Sequence, residues 1–309
     1  MSYLARKKTS KILILGLAES GKSTIIKVVT EGKIPQKGES YNPTIDYERK
    51  QKTIAGTELT IFDLGGQTAF LDRFTGELSE FIFSGVKSLV FVVDSIKINE
   101  ISRAKYYLDL SLNKLKQFSP DATVFIFQHK TDQIPKRLRD EVKITIKEYI
   151  SSGVTQEIKF YSTSVFTDSI FRAMGDVYAE ASGARKTLKP LLETFIRHNA
   201  ADMAQIFTKE GAPLTKVQDV SRFDHISLLE VKSFFDAVFQ RLSNQRNQNT
   251  TSVLLESDRQ VFIIRFIEGG LALFFGFPKD RLKEKNEQIP TLYNKVLAFS
   301  SQLKSMIES

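Results

Sequence analysis

The sequence predicts an α/β domain built on a six-stranded, mostly parallel sheet, followed by a smaller α+β domain. Three observations carry this prediction. Short apolar runs alternate with segments of helical spacing as far as residue 182. A glycine-rich loop joins the first apolar run to the first helix. Beyond residue 183 the alternation gives way to a different order.

The first strand is expected over residues 11–15, Lys-Ile-Leu-Ile-Leu, running into Gly16-Leu-Ala-Glu-Ser-Gly-Lys-Ser-Thr24 and a helix that starts near Lys22. Residues 45–53 and 57–62 flank Ala55-Gly56 and read as a hairpin, which puts one antiparallel strand at the sheet edge. Further strands are expected over 88–93, 123–128 and 157–161, with helices over 101–118, 142–151 and 169–180. The small and charged residues Ala181-Ser-Gly-Ala-Arg-Lys186 form a seam, so the domains are expected over 1–182 and 183–309. The second domain should hold a helix over 188–198, strands over 203–208 and 212–217, and a long amphipathic helix over 225–244. Strands over 252–256, 260–267 and 270–276 and a final helix over 280–307 complete it. That order describes a meander sheet flanked by helices.

Composition narrows the function classes. The chain of 309 residues has no cysteine, which excludes disulfides, cysteine metal sites and thiol catalysis, and with them prenylation and palmitoylation. Ser2 stands where N-myristoylation needs glycine, so no direct lipid anchor is expected. No apolar run is long enough to cross a membrane, and cytoplasmic residence is the default expectation. The net charge of +8 is scattered, without an aromatic-interleaved basic stripe. It predicts a solvated surface, not a nucleic-acid site. Weak attraction to acidic lipid headgroups is its second use.

The loop after the first strand fits the G-x-x-x-x-G-K-[ST] pattern, with Gly16, Gly21, Lys22 and Ser23 at the fixed positions. Such a loop folds its backbone N–H groups around phosphate oxygens, and the following helix adds its positive end. Glu19, Ser20, Gly21, Lys22, Ser23 and Thr24 are the candidate phosphate contacts. Lys22 would reach the β and γ phosphates and the Ser23 hydroxyl would ligate Mg²⁺. In Tyr41-Asn-Pro-Thr-Ile45, Thr44 could ligate Mg²⁺ and sense the γ-phosphate. In Asp63-Leu-Gly-Gly-Gln67, Asp63 could hold Mg²⁺, the Gly66 N–H could bond the γ-phosphate, and Gln67 could orient the attacking water. His129-Lys-Thr-Asp132 ends a strand where a base-reading loop belongs. Asp132 could accept two hydrogen bonds from guanine, with the Lys130 stem over the ring. Thr163 and Ser164, in Ser162-Thr-Ser164, could offer backbone N–H groups to the guanine oxygen.

In order and spacing, these five motifs resemble those of Ras-like small GTPases. The nearer resemblance is to the Rag GTPases, which put His where Asn is usual, as in His129-Lys-Thr-Asp132. Thr44-Ile-Asp46, Ser119-Pro-Asp-Ala122 and Thr163-Ser-Val-Phe166 also look like Rag sequence. The usual Asn supplies a purine contact and a strut to the phosphate loop; with His129 in its place, guanine selectivity rests mainly on Asp132. The phosphate loop itself looks more like that of a heterotrimeric G-protein α subunit or an Arf protein. The short span from Ser23 to Thr44 leaves no room for the α-subunit helical insertion, and the lipidated N-terminal helix of Arf proteins is absent. No arginine finger is evident in cis; Arg49 and Arg73 read as surface charges.

The resemblance implies a P-loop GTPase domain followed by a roadblock- or longin-like domain. It implies a GTP/GDP switch with Mg²⁺, slow hydrolysis through Lys22 and Gln67, and a homodimer or heterodimer with a second Rag-like GTPase through the C-terminal domain. A roadblock-type scaffold, a GTPase-activating protein and exchange factors would be the further partners. Nutrient-state signalling, with peripheral recruitment to a membrane by a scaffold, is the implied setting. A nucleotide-bound scaffold with little turnover stays open as the alternative, and ATP-specific chemistry is the third reading, opposed by Asp132.

Overall fold

The computed structural model describes residues 9–32, 34–36, 44–218, 252–267 and 270–308. Apart from Thr53–Gly56, the described residues up to Ser182 form one compact unit and those from Gly183 a second.

In the first unit β1 (Thr9–Leu15), α1 (Lys22–Glu31), β2 (Tyr47–Ile54), β3 (Thr57–Leu64), α2 (Thr68–Thr75), α3 (Ser79–Phe83) and β4 (Val86–Asp94) follow in order. Then come α4 (Ile101–Phe118), β5 (Thr123–His129), α5 (Arg139–Ser151), β6 (Ile158–Ser162) and α6 (Ser169–Ser182). The six strands lie in the order β2-β3-β1-β4-β5-β6. The β1/β3, β1/β4, β4/β5 and β5/β6 pairs are parallel. β2 is the exception: Ala55 and Gly56 have φ of 48° and 77°, a type I′ turn that returns the chain as a hairpin.

Helices cover both faces of this sheet, so its inner strands read as continuous apolar runs. One set of alternate residues, among them Leu13, Leu15, Leu64, Phe91 and Ile126, packs with Leu71, Phe74, Phe83, Leu108 and Ile146 of α2 to α5. The other set, including Ile12, Ile14, Val90 and Phe127, is equally buried, and α6 packs on β1, β3 and β4. The carboxyl ends of β1, β3, β4 and β5 therefore stand side by side, where ligands of open parallel sheets bind.

The second unit holds α7 (Ala184–His198), β7 (Met203–Thr208), β8 (Pro213–Gln218), β9 (Ser252–Glu256), β10 (Gln260–Ile267) and β11 (Leu271–Pro278). Its sheet runs β8-β7-β11-β10-β9, antiparallel throughout. Phe195 of α7 meets Phe275 of β11 at 4.5 Å between ring centroids, and Phe299 at 5.0 Å. The alternate β11 residues Ala272 and Phe274 pack with Met203, Phe207 and Ile264. The helix expected over 225–244 lies outside the described residues.

The final helix corrects the expectation. Residues 280–307 are not continuous: α8 (Lys279–Glu284) stops, and α9 (Ile289–Glu308) starts anew. Asn286 takes φ 48°, the Asn286 N–H donates to Lys283 O at 3.1 Å, and the Glu287 N–H donates to Leu282 O at 2.8 Å. This is a Schellman stop with Asn in the left-handed position. Pro290, in the first turn of α9, suits a helix start and disfavours helical backbone just before it. Among the described residues, no helix is long and apolar enough to cross a membrane.

Candidate functional site

The phosphate loop hangs from the end of β1. Its backbone bends through Glu19 at φ 62° and Gly21 at φ 97°, and α1 begins at once with no side chain capping its first N–H groups. Those donors and the helix dipole are left for an anion. The Ser20 hydroxyl is buried there without a hydrogen-bond partner among the described residues. Lys22, 5% exposed, donates to the Gly16 and Leu17 carbonyls, each at 2.8 Å. Burial pushes its ammonium down to about 8, Asp63 resists the shift, and Lys130 adds to it.

Three oxygen-bearing side chains converge beside Lys22. Ser23 Oγ of α1 lies 2.8 Å from Thr44 Oγ1, and Thr44 Oγ1 donates to Asp63 Oδ2 at 3.4 Å. Asp63 is 3% exposed, and burial raises its carboxyl above the usual range against the pull of Ser23 and Lys22. Its Oδ1 is buried with no hydrogen-bond partner among the described residues. A buried carboxylate oxygen left unsatisfied is costly unless something binds it. Two hydroxyls and a carboxylate are hard oxygen ligands, and this donor set fits Mg²⁺.

The segment after Asp63 touches both neighbours. The Gly65 N–H donates to Asp46 O at 2.8 Å, tying it to the Thr44 segment. A Cβ at Gly66 would lie 2.5 Å from Ala18 N and equally close to Leu17 O, so this backbone runs directly against the phosphate loop. Gln67 is the exposed residue that precedes α2, and its side chain makes no hydrogen bond among the described residues. Arg73 pairs with Glu77 at 3.2 Å and Asp46 at 3.5 Å, a surface charge as expected.

The base-side loop is braced from three directions. Lys130, at φ 63°, donates from Nζ to Glu19 O at 2.7 Å and to Asp94 Oδ2 at 2.8 Å, joining the phosphate loop to the end of β4. Arg139 holds the loop from α5, donating to Asp132 O at 3.1 Å and Ile134 O at 2.9 Å. Thr163 O accepts from Thr131 N at 3.3 Å. The Asp132 side chain is half-buried, and its carboxylate has no hydrogen-bond partner among the described residues. The amides of Thr163 and Ser164 are engaged by Gln128 O at 2.8 Å and Ser169 Oγ at 3.0 Å, so these two residues act here as supports of the loop.

His129 is 2% exposed, with Nδ1 3.0 Å from Thr163 Oγ1. Its ring lies against Gly21, where a Cβ would come within 2.7 Å of His129 Cδ2. The imidazole thus reaches the phosphate loop by packing where an Asn would reach it by hydrogen bonding. Burial lowers His129 to about 4, with Lys130 adding to the shift and Asp132 and Asp94 opposing it. From the ordinary value of 6.5 down to about 4, the unfolded chain binds this proton and the folded chain does not. Stability should therefore fall as pH drops through that window, by up to about 3 kcal/mol from this group. Denaturant titrations of wild type and His129→Asn from neutral pH down to about 4 check this. The wild type should lose more stability by about that amount, and parallel losses would refute the assignment.

Lys22, Ser23, Thr44, Asp63 and Gly66 are brought to one focus, with His129 and Lys130 bracing it. Sequence reading missed Asp94 and Lys97, whose Nζ meets Glu19 Oε2 at 2.5 Å across the loop. Their signal was available: Asp94 ends a central strand and Lys97 follows three residues later.

A doubly wound sheet whose first strand feeds this phosphate loop, with an aspartate closing the β3 end, is the fold and site of a P-loop GTP-binding protein. Residues 11–245 match the Gtr1/RagA G protein conserved region, and the chain belongs to that family of small GTP-binding proteins. It is 27% identical over 233 residues to Ras-related GTP-binding protein A of Dictyostelium discoideum, covering 73% of this chain and 77% of that one. It is 27% identical to GTP-binding protein gtr1 of Schizosaccharomyces pombe, covering 84% of this chain and 85% of that one. Its similarity to gtr2 of the same yeast is 28% identity over 313 aligned positions, covering 91% of this chain and 95% of that one.

Proposed function

We propose that this chain is a guanine-nucleotide switch that hydrolyses GTP slowly to GDP and phosphate. The observation that carries the reading is the convergence of Ser23, Thr44 and the unsatisfied Asp63 Oδ1 beside the phosphate loop. Ser23, Thr44 and Asp63 would hold Mg²⁺, which when bound neutralises charge on the β- and γ-phosphates. Lys22 and the first amides of α1 bind the phosphates, and Gly66 N–H reports on the third. Thr44 and Gly66 belong to segments already joined by the Gly65–Asp46 bond, so a triphosphate would order both together. Asp132 selects guanine by accepting from its N–H edge, with Lys130 over the ring, Glu19, Ser20, Gly21 and Thr24 along the phosphates, and Thr163 and Ser164 bracing the base-side loop.

Gln67 orients the attacking water. Its exposure fits slow turnover, about 10⁻⁴ to 10⁻² s⁻¹ unaided and about 10³ to 10⁵ faster with an activating partner. Gln67→Leu should slow single-turnover hydrolysis by at least about tenfold with GTP still bound. Unchanged turnover would remove Gln67 from the mechanism, and no turnover in wild type would favour the scaffold reading.

Residues 183–309 are proposed as the dimerisation domain, pairing with a second Rag-like chain. Similarity to both gtr1 and gtr2 relatives supports this. A roadblock-type scaffold, a GTPase-activating protein and exchange factors are the proposed further partners, at a membrane surface reached from the cytoplasm.

A further inference from the structure

Two side-chain bonds from outside the phosphate loop land on one of its residues, Glu19. Lys130 Nζ donates to the Glu19 carbonyl at 2.7 Å, and Lys97 Nζ lies 2.5 Å from the Glu19 carboxylate. Lys130 also pairs with the Asp94 carboxylate at 2.8 Å. The turn that carries Lys97 is fixed in its own right. The Ile96 N–H donates to Asp94 Oδ1 at 3.0 Å, the Lys97 N–H to Asp94 O at 3.2 Å, and the Ser95 N–H to His129 O at 2.9 Å. Lys97 thus reaches the phosphate loop from a braced platform at the end of β4.

Glutamate is an unfavourable choice at position 19 for two reasons. Its φ of 62° lies in the left-handed region, where glycine is at ease and a longer side chain is not. Its carboxylate also hangs from a loop shaped to hold phosphates, whose charge repels it. Folding stability does not explain the residue, because an exposed ion pair adds little and the Glu19 side chain is 75% exposed. What the side chain gains is Lys97, which holds the Glu19 carboxyl below its usual range while Glu19 raises the Lys97 ammonium. The pair offsets both disadvantages: it cancels the charge beside the phosphates and ties the bent backbone to the end of β4.

We propose that Glu19 and Lys97 form a clasp on the phosphate loop that slows nucleotide release, with Lys97 a positioning residue that acts through Glu19. While the clasp is closed, the loop keeps the bend in which its N–H groups meet the phosphates. Once it opens, the left-handed bend relaxes and the nucleotide leaves sooner. The proposal takes its ligand from the switch reading and its geometry from these contacts alone.

The test is stopped-flow release of a fluorescent GDP analogue from the full chain with Mg²⁺. Lys97→Met, which keeps the stem and loses the charge, should release it about fivefold faster at low salt, and high salt should narrow the gap. Lys97→Arg should release at the wild-type rate. In a Glu19→Gln background Lys97→Met should add nothing further, because the partner charge is already gone. Wild-type release in Lys97→Met, or the same gain in both backgrounds, would overturn the clasp. Hydrogen exchange of the amides of residues 16–24 in nucleotide-free protein separates the clasp from the switch reading. Faster exchange in Lys97→Met would support the clasp even in a chain that bound no guanine nucleotide, an outcome that would remove the switch. Equal exchange would overturn the clasp.

Discussion

Gly66→Ala is expected to lower GTP affinity by about a hundredfold while lowering GDP affinity far less. Gly66 does not need glycine for its torsion angles: it is absent from the residues with positive φ. It needs glycine for space, since an added Cβ would meet Leu17 and Ala18 backbone atoms that no rotamer change can move aside. Overpacking of this kind costs about 1–3 kcal/mol, and here relief comes by parting the Gly66 segment from the phosphate loop. That separation removes an amide from the γ-phosphate position and leaves the diphosphate contacts in place. Equilibrium titration with fluorescent GTP and GDP analogues measures both affinities. An equal loss for the two nucleotides would place Gly66 outside the γ-phosphate contact.

Asp132→Ala should weaken GTP by about a thousandfold and leave ATP binding unchanged. The loop around Asp132 is held by Arg139, Lys130 and the Thr131–Thr163 bond, none of which uses the Asp132 carboxylate. The substitution therefore removes a hydrogen-bond acceptor and leaves the loop in place. Sites built to bond a particular edge discriminate by several orders of magnitude. Competition between GTP and ATP for the variant gives the ratio directly. Retained guanine preference would mean that another residue reads the base.

Much of this was legible in the chain because local signals and tertiary context agree. The phosphate loop, the Ala55-Gly56 hairpin and helix 101–118 lie where spacing puts them, since each carries its own punctuation or a long amphipathic period. The final helix broke the reading. Residues 285–288, Lys-Asn-Glu-Gln, carry no apolar position, and there Asn286 ends one helix while Pro290 starts the next. The short helices α2 and α3 were invisible at eight and five residues, too brief for periodicity to register. Within the site, the motif residues were legible singly, but their convergence was not. That His129 packs on Gly21, that Lys130 bridges Glu19 and Asp94, and that Gly66 abuts Ala18 are contacts between distant stretches of chain, written in no local pattern.

The most direct test of the central claim is base preference at equilibrium: displacement of a fluorescent guanine nucleotide from the purified full chain, with Mg²⁺, by GTP and by ATP. The account predicts that GTP displaces it at micromolar concentration and that ATP needs at least about a hundredfold more. Displacement by both at the same concentration would contradict it, as would the absence of any guanine nucleotide binding.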